Sequence, residues 1–280
     1  MRKISTVSEL RTAVAGLRNE GKSLVLVPTS GALHAGHAAL IAAAKSNGQA
    51  VVVSVLVNPL AFGPSEMLAH YPRSPDADCK LCDELRVDAV FMPAPEEFFP
   101  PGYSTFVTEE LVSRPLCGVT RPTHFRGVAT AFAKLLNVVR PDAVVMGQKD
   151  AQQVAVVRKV IADLHFGVEI IVVPIARESD GLAVSVRNRE LTASQRQDAL
   201  AIFGALQHAK AMVAQGVQNP DRLIAEATHR LGERRRVRVI YVAMVDPNTM
   251  EPMREVVPGR TLFAIAVWVD EVRLIDNILL

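Results

Sequence analysis

Apolar residues recur along this chain in two rhythms. Thr6-Val7-Ser8-Glu9 has the form of a capping box, and the apolar positions after it repeat at helical spacing to about Leu17. Ser23–Pro28 is a short apolar run bounded by turn residues, the pattern of a strand buried on both faces. The same alternation continues. Helices are expected over Gly36–Lys45, Pro75–Leu85, His124–Val139 and Asp150–Leu164. Strands are expected over Ala50–Val57, Asp88–Met92, Thr105–Val107, Asp142–Met146 and Val168–Val173. Pro93–Gly102 carries four prolines and reads as a loop. Strands alternating with helices predict an α/β fold, a Rossmann-like doubly wound parallel sheet.

The rhythm changes after Arg177. Thr192–Gln215 and Pro220–Leu231 read as helices, and Arg236–Val245, Thr261–Val269 and Val272–Ile275 as strands. This predicts two domains, an N-terminal one over 1–176 and a smaller α+β one over 177–280. The polar stretch Arg177-Glu178-Ser179-Asp180-Gly181 is the expected linker, and the C-terminal domain is an expected lid.

Composition adds limits. The chain has 280 residues, 49% hydrophobic and 21% charged, as in ordinary globular proteins. Its 31 basic and 29 acidic residues leave a formal charge of +2, so no nucleic-acid or membrane partner is expected. No apolar stretch approaches the ~20 residues that span a bilayer, and the N-terminus lacks a signal-peptide core, so the expected location is cytoplasmic. Three cysteines suit a reducing compartment. Cys79 and Cys82 form a C-x-x-C that is read as packed helix residues in preference to a redox or zinc site.

Three stretches carry candidate chemistry. The first is Pro28-Thr29-Ser30-Gly31-Ala32-Leu33-His34-Ala35-Gly36-His37. A buried strand ends, Gly31 permits a tight turn, and a helix starts near Gly36, its N–H groups and positive dipole end facing the crevice. His34 and His37, three residues apart, point into one space. The pattern suits a polyphosphate. Half of a metal site is the competing reading, but no third ligand lies nearby in sequence. The second stretch is Gly147-Gln148-Lys149-Asp150-Ala151-Gln152-Gln153, at another strand end. There Lys149 suits a phosphate, and Asp150 suits a ribose hydroxyl or a helix N-cap. The third is Asp180–Arg189, where Ser185 and Arg187 suit a phosphate-covering loop or a plain basic linker.

Together with Ser54–Gly63, Tyr71-Pro72-Arg73 and Arg121–Val128, these stretches resemble the pantothenate synthetase (pantoate–β-alanine ligase) family of the H-x-G-H nucleotidyltransferase superfamily, over essentially the whole chain. The resemblance implies an ATP-dependent ligase that joins pantoate to β-alanine through an acyl-adenylate and releases AMP and pyrophosphate. It implies that His34 and His37 contact the phosphates and the forming adenylate, and that Gly147 and Asp150 hold the ribose. Lys149, Ser185 and Arg187 would bind phosphates, and Pro28, Thr29, Ser30, Gly36 and Ala176 would complete the nucleotide site. Asn58, Ala61, Arg121 and Gln153 would lie on the acid and amine side. Mg2+ would arrive with ATP, no metal being held by protein ligands alone, and the protein would be a homodimer.

The chain departs from the family's pattern at seven positions. Ser30 stands where the family has Met, Ala35 where it has an acidic residue, and Ala61 where it has Gln. Met67 replaces Asp, His70 replaces Arg, Cys117 replaces Glu, and Val186 replaces a second Ser. The changes gather on the acid side, while the nucleotide side mostly keeps its groups, Val186 removing one hydroxyl there. Three readings follow: a pantoate–β-alanine ligase, a related ligase for another acid or amine, and a nucleotide-binding homologue without catalysis.

Overall fold

The computed structural model describes residues 1–46, 49–63 and 71–280. Met67 and His70 lie outside the described residues.

The chain groups into two compact units, one of Met1–Gly147 and Val156–Pro174, the other of Gln148–Ala155 and Ile175–Leu280. Strands of the first unit are β1 (Arg2–Ile4), β2 (Leu24–Thr29), β3 (Ala50–Val55), β4 (Ala89–Phe91), β5 (Ala143–Gly147) and β6 (Glu169–Val173). Its helices are α1 (Val7–Asn19), α2 (Ala35–Lys45), α3 (Pro75–Glu84), α4 (Pro95–Phe98), α5 (Cys117–Thr120) and α6 (His124–Val139). Helix α7 (Ala151–Asp163) runs through residues of both units.

The six strands pair in the order β1-β4-β3-β2-β5-β6, every pair parallel. From β2 the chain winds outward through β3 to β4, and from β5 outward to β6. The direction of winding reverses between β2 and β5, so their carboxyl ends, Thr29 and Gly147, flank the crevice where such sheets bind ligands. Alternate strand residues Val25, Val27, Val51, Val53, Val90 and Val145 pack with Ile41 of α2 and Cys82 of α3 in one buried cluster. The capping box is present: the Thr6 side chain accepts from Glu9 N, and the Glu9 carboxylate accepts from Thr6 N at 3.0 Å.

An expectation for this unit fails. Thr105–Val107 is not a strand: the Val107 N–H goes to Thr130 Oγ1 of α6 at 3.0 Å, so the segment is tied to a helix side chain rather than to a neighbouring strand. Arg2–Ile4, ahead of α1, forms an edge strand against β4. The proline-rich stretch contains α4 and is gathered under Lys134, whose Nζ lies 4.6, 4.7 and 4.4 Å from the ring centres of Phe98, Phe99 and Tyr103.

The second unit contains α8 (Ala193–Ala214) and α9 (Pro220–Gly232) against an antiparallel sheet of β7 (Val237–Val245), β8 (Leu262–Val269) and β9 (Val272–Leu279). Ile202, Leu206, Leu223 and Leu231 meet Phe263, Ile265 and Val267 in its core. Strand β9 runs four residues past its expected end at Ile275, through the polar pair Asp276-Asn277. The expected linker is instead pinned inside this unit. Arg177 grips Asp276 with two bonds of 2.7 and 3.0 Å and stacks 4.2 Å over the Phe203 ring, while Arg196 binds both Glu178 and Asp180.

Candidate active site

The first cluster is built where β2 ends. Thr29 is buried; its hydroxyl donates to Ser54 O of β3 at 2.9 Å and accepts from Gly31 N at 3.3 Å. Gly31 has φ +83°, and a Cβ there would come within 3.0 Å of Val55 and 3.2 Å of Asp78, so glycine is required both for conformation and for space. Ala32 follows at φ 49°. Sequence reasoning missed the residue that holds this turn. Asp78, buried in the first turn of α3, accepts from Ala32 N at 3.0 Å, Leu33 N at 2.8 Å and Ser74 Oγ at 2.9 Å. Its loop partners lie 45 and 46 residues away, so no local motif signals it.

The turn delivers His34 to the N-cap of α2. His34 Nδ1 accepts from Gly36 N, and His37 Nδ1 accepts from His34 N, each at 3.2 Å. The rings lie 4.1 Å apart and 32° from parallel. Two of the N–H groups expected to face a ligand are therefore turned onto the imidazoles. A ring nitrogen that accepts a backbone N–H carries no proton, so in neutral imidazole the proton sits on Nε2. In that tautomer both rings carry their proton on Nε2. Pro28 is half-buried, Ser30 is exposed, and Gly36 and Gly147 are half-buried in the same unit.

Asn58 and Ala61 lie in the turn after β3. The Asn58 carboxamide is committed internally: Oδ1 accepts from Leu60 N at 3.1 Å and Nδ2 donates to Gly127 O of α6 at 2.9 Å. Ala61 is buried. Its carbonyl accepts from Arg121 at 3.3 Å and from His124 Nδ1 at 2.8 Å, a contact that puts the His124 proton on Nδ1. Close approach of this turn to α6 depends on Gly127, where an added Cβ would lie 2.2 Å from Leu60 O. Gly127→Ala is expected to lower stability by roughly 1–3 kcal/mol through overpacking, measured by denaturant unfolding; unchanged stability would contradict this packing.

A cavity of about 840 Å3 opens beside the turn of β2, lined in part by Ser30, Gly31, Val57, Pro59, Met92 and Phe99. Cys79 is half-buried and Cys82 buried on α3, and burial, with Cys79 and Asp78 adding to it, pushes the Cys82 thiol up to about 12. That makes it a packing residue rather than a redox thiolate.

The second cluster belongs to the second unit. Gln148–Asp150 forms a 3-10 turn before α7, with Lys149 Nζ 3.0 Å from Asp150 Oδ1; Gln153 follows on the helix, half-buried. Ala176 O accepts from Val184 N at 2.9 Å. Ser185 caps a second 3-10 turn, Val186–Glu190, its hydroxyl accepting from Arg187 N at 3.3 Å, and Arg187 donates to Arg273 O at 3.0 Å. A hydroxyl that accepts from backbone keeps its own proton for another acceptor. Buried Asn277 was also missed; it holds the Gln148–Asp150 turn.

Residues 2–279 match the pantoate-beta-alanine ligase family profile. The chain belongs to the pantoate–β-alanine ligase family. Within that family, the pantothenate synthetase of Moorella thermoacetica is 43% identical, covering 100% of this chain and 99% of its own. That of Acidobacterium capsulatum is 45% identical over 291 residues, with 100% and 97% coverage. The pantothenate synthetase crystal structure from Thermus thermophilus superposes with a TM-score of 0.93 at 40% identity, covering 99% of each chain. A pantoate-beta-alanine ligase from Francisella tularensis, complexed with beta-gamma ATP and beta-alanine, has a TM-score of 0.81 at 28% identity, over 100% of this chain and 97% of that one. Membership in the pantoate–β-alanine ligase family thus extends over both units. No helix among the described residues is long and apolar enough to cross a membrane.

Proposed function

We propose that this chain condenses pantoate with β-alanine to form pantothenate, by way of a pantoyl-adenylate. The observation that supports this most directly is the His34–His37 pair, two Nε2–H donors held at the switch point of a parallel sheet. A carboxylate oxygen of the acid attacks the α-phosphorus of ATP, the new acyl–O–P bond forms, and the bond to pyrophosphate breaks. The β-alanine amine then attacks the acyl carbon, AMP departs with the C–O bond's electrons, and the amine proton passes to solvent.

The residue roles follow from donor chemistry. His34 and His37 donate to phosphate oxygens that gain charge as pyrophosphate leaves. Lys149 and Arg187 neutralise phosphates, and Ser185 donates its hydroxyl proton to them. Asp150 and Gly147 hold the ribose, and Pro28, Thr29, Ser30, Gly36 and Ala176 shape the nucleotide site. Gln153 and Arg121 serve the acid and amine. Asn58 acts indirectly, clamping the Pro59–Ala61 turn onto α6. Positioning and charge stabilisation suffice for the first step without a strong general base, because the attacking carboxylate is already ionised. Mg2+ enters as part of the nucleotide, held by phosphate oxygens and water. A homodimer and a cytoplasmic location belong to the same proposal, supported by the family alone.

A second reading, a ligase for another acid, is favoured by the buried methyl of Ala61 and by Ser30 in the lining of the cavity. The deciding experiment supplies ATP with pantoate and β-alanine, beside a panel of bulkier acids, and identifies the products. Pantothenate and AMP in equal amounts support the first reading; AMP formed with another acid alone supports the second. Ala61→Gln separates them further. One regained substrate hydrogen bond of about 1–3 kcal/mol should raise kcat/KM for pantoate roughly fivefold or more. A fall would mean the apolar wall serves a different acid.

A further inference from the structure

We propose that Asn277 is a positioning residue for adenylation, acting through Lys149; this rests on the phosphate-binding role assigned to Lys149 above. Asn277 is buried on β9, in register with Ala264 of β8. Its Nδ2 donates to Gln148 O and Lys149 O, both at 3.0 Å, and its Oδ1 accepts from Gln148 Nε2 at 3.2 Å. Both amide protons and an oxygen lone pair thus grip one 3-10 turn, whose charged side chains are Lys149 and Asp150. Two consecutive carbonyls held by one rigid amide fix the orientation of the Lys149 Cα–Cβ bond, and with it the arc that the ammonium can reach.

The surroundings make the anchor stiff. Asp276, the preceding residue, accepts from Asn277 N at 2.7 Å and is gripped by Arg177. The same strand holds the other proposed cation: Arg187 donates to the carbonyl of Arg273, four residues before Asn277. The two attachment points are four residues apart on one strand, roughly 13 Å along its axis. Strand β9 therefore anchors both cation-bearing segments and sets the interval between them. A charge aimed at the transition state contributes in proportion to its placement, so loosening the anchor lowers turnover more than nucleotide affinity.

The test is a double-mutant cycle on acid-dependent exchange of pyrophosphate into ATP, using the full chain as wild type, Asn277→Ala, Lys149→Ala and the double variant. Asn277→Ala is expected to lower the exchange kcat about tenfold with KM for ATP nearly unchanged. In the Lys149→Ala background the same substitution should cost less than about twofold, because the group it positions is gone. Asn277→Ser, which keeps one donor, should fall between wild type and Asn277→Ala, and it replaces the alanine variant if that one does not fold. Equal losses in both backgrounds would overturn the proposal by making Asn277 a general structural residue, and so would wild-type kcat in both Asn277 variants. Wild-type exchange in Lys149→Ala would overturn the Lys149 assignment itself, and it is seen without reference to Asn277.

Discussion

Lys149→Ala is expected to lower adenylate formation roughly a hundred- to thousandfold, to a residual rate that is still measurable, while leaving the fold as stable as wild type. The two halves of that expectation rest on different magnitudes. In the protein as it stands, the Lys149 ammonium is paired with Asp150, whose side chain is 44% exposed. A partly exposed ion pair contributes about 0–1 kcal/mol to stability, and the Asp150 carboxylate left behind remains in contact with water. Removing a preorganised charge from a transition state is a much larger loss, roughly a hundred- to thousandfold in rate. Pyrophosphate exchange and denaturant unfolding measured on the same sample therefore separate the two. Exchange within a few-fold of wild type would remove Lys149 from the chemistry.

Asp78→Ala is expected to damage stability and activity together. Its carboxylate is buried and satisfies the N–H groups of Ala32 and Leu33, which are themselves buried. Alanine leaves both donors without an acceptor, at about 1–3 kcal/mol each, so a loss of roughly 3 kcal/mol is expected. The turn they stabilise includes Gly31 and Ala32, both with positive φ, and leads directly into His34. Relaxing it lets the N-cap of α2 shift and moves both imidazoles, so exchange activity should fall by at least tenfold at temperatures where the variant is folded, a misplacement of about 1 Å being enough for losses of that order. A variant with wild-type unfolding midpoint would show that the two bonds from Ala32 and Leu33 to Asp78 do not hold the turn.

Asp78 and Asn277 also mark the limit of what the sequence discloses. The capping box at Thr6, the buried runs of β2, β3 and β5, and the boundaries of α6 are legible because each is a local pattern of spacing and polarity. The Gly31–His37 stretch is legible because turn, helix start and paired histidines are contiguous. Asp78 is not, since its partners come from a loop 45 and 46 residues earlier and the residue alone reads as an ordinary acidic first turn. Asn277 leaves one signal, a polar pair inside a run of strand formers, and that signal misleads: it suggests that the strand stops at Ile275. Arg2–Ile4 is too short for any period to register, and its pairing with β4 comes from the sheet. Thr105–Val107 has strand-forming residues but spends a backbone donor on Thr130, so tertiary context overrides propensity.

The histidine pair illustrates the same limit at the level of chemistry. Spacing places both rings on one side of a helix start, but only the fold assigns their protons. Backbone N–H groups bonded to both Nδ1 atoms place the proton of each neutral ring on Nε2, a tautomer suited to donating to phosphate and unsuited to ligating a metal through Nε2.

In the proposed reaction the acid is activated before the amine takes part. The measurement that tests this order most directly is exchange of labelled pyrophosphate into ATP with pantoate present and β-alanine withheld. Rapid exchange that requires pantoate and stops when it is omitted is the predicted result. Absence of exchange, accompanied by formation of ADP and inorganic phosphate when β-alanine is added, would contradict it and point to an acyl-phosphate route instead.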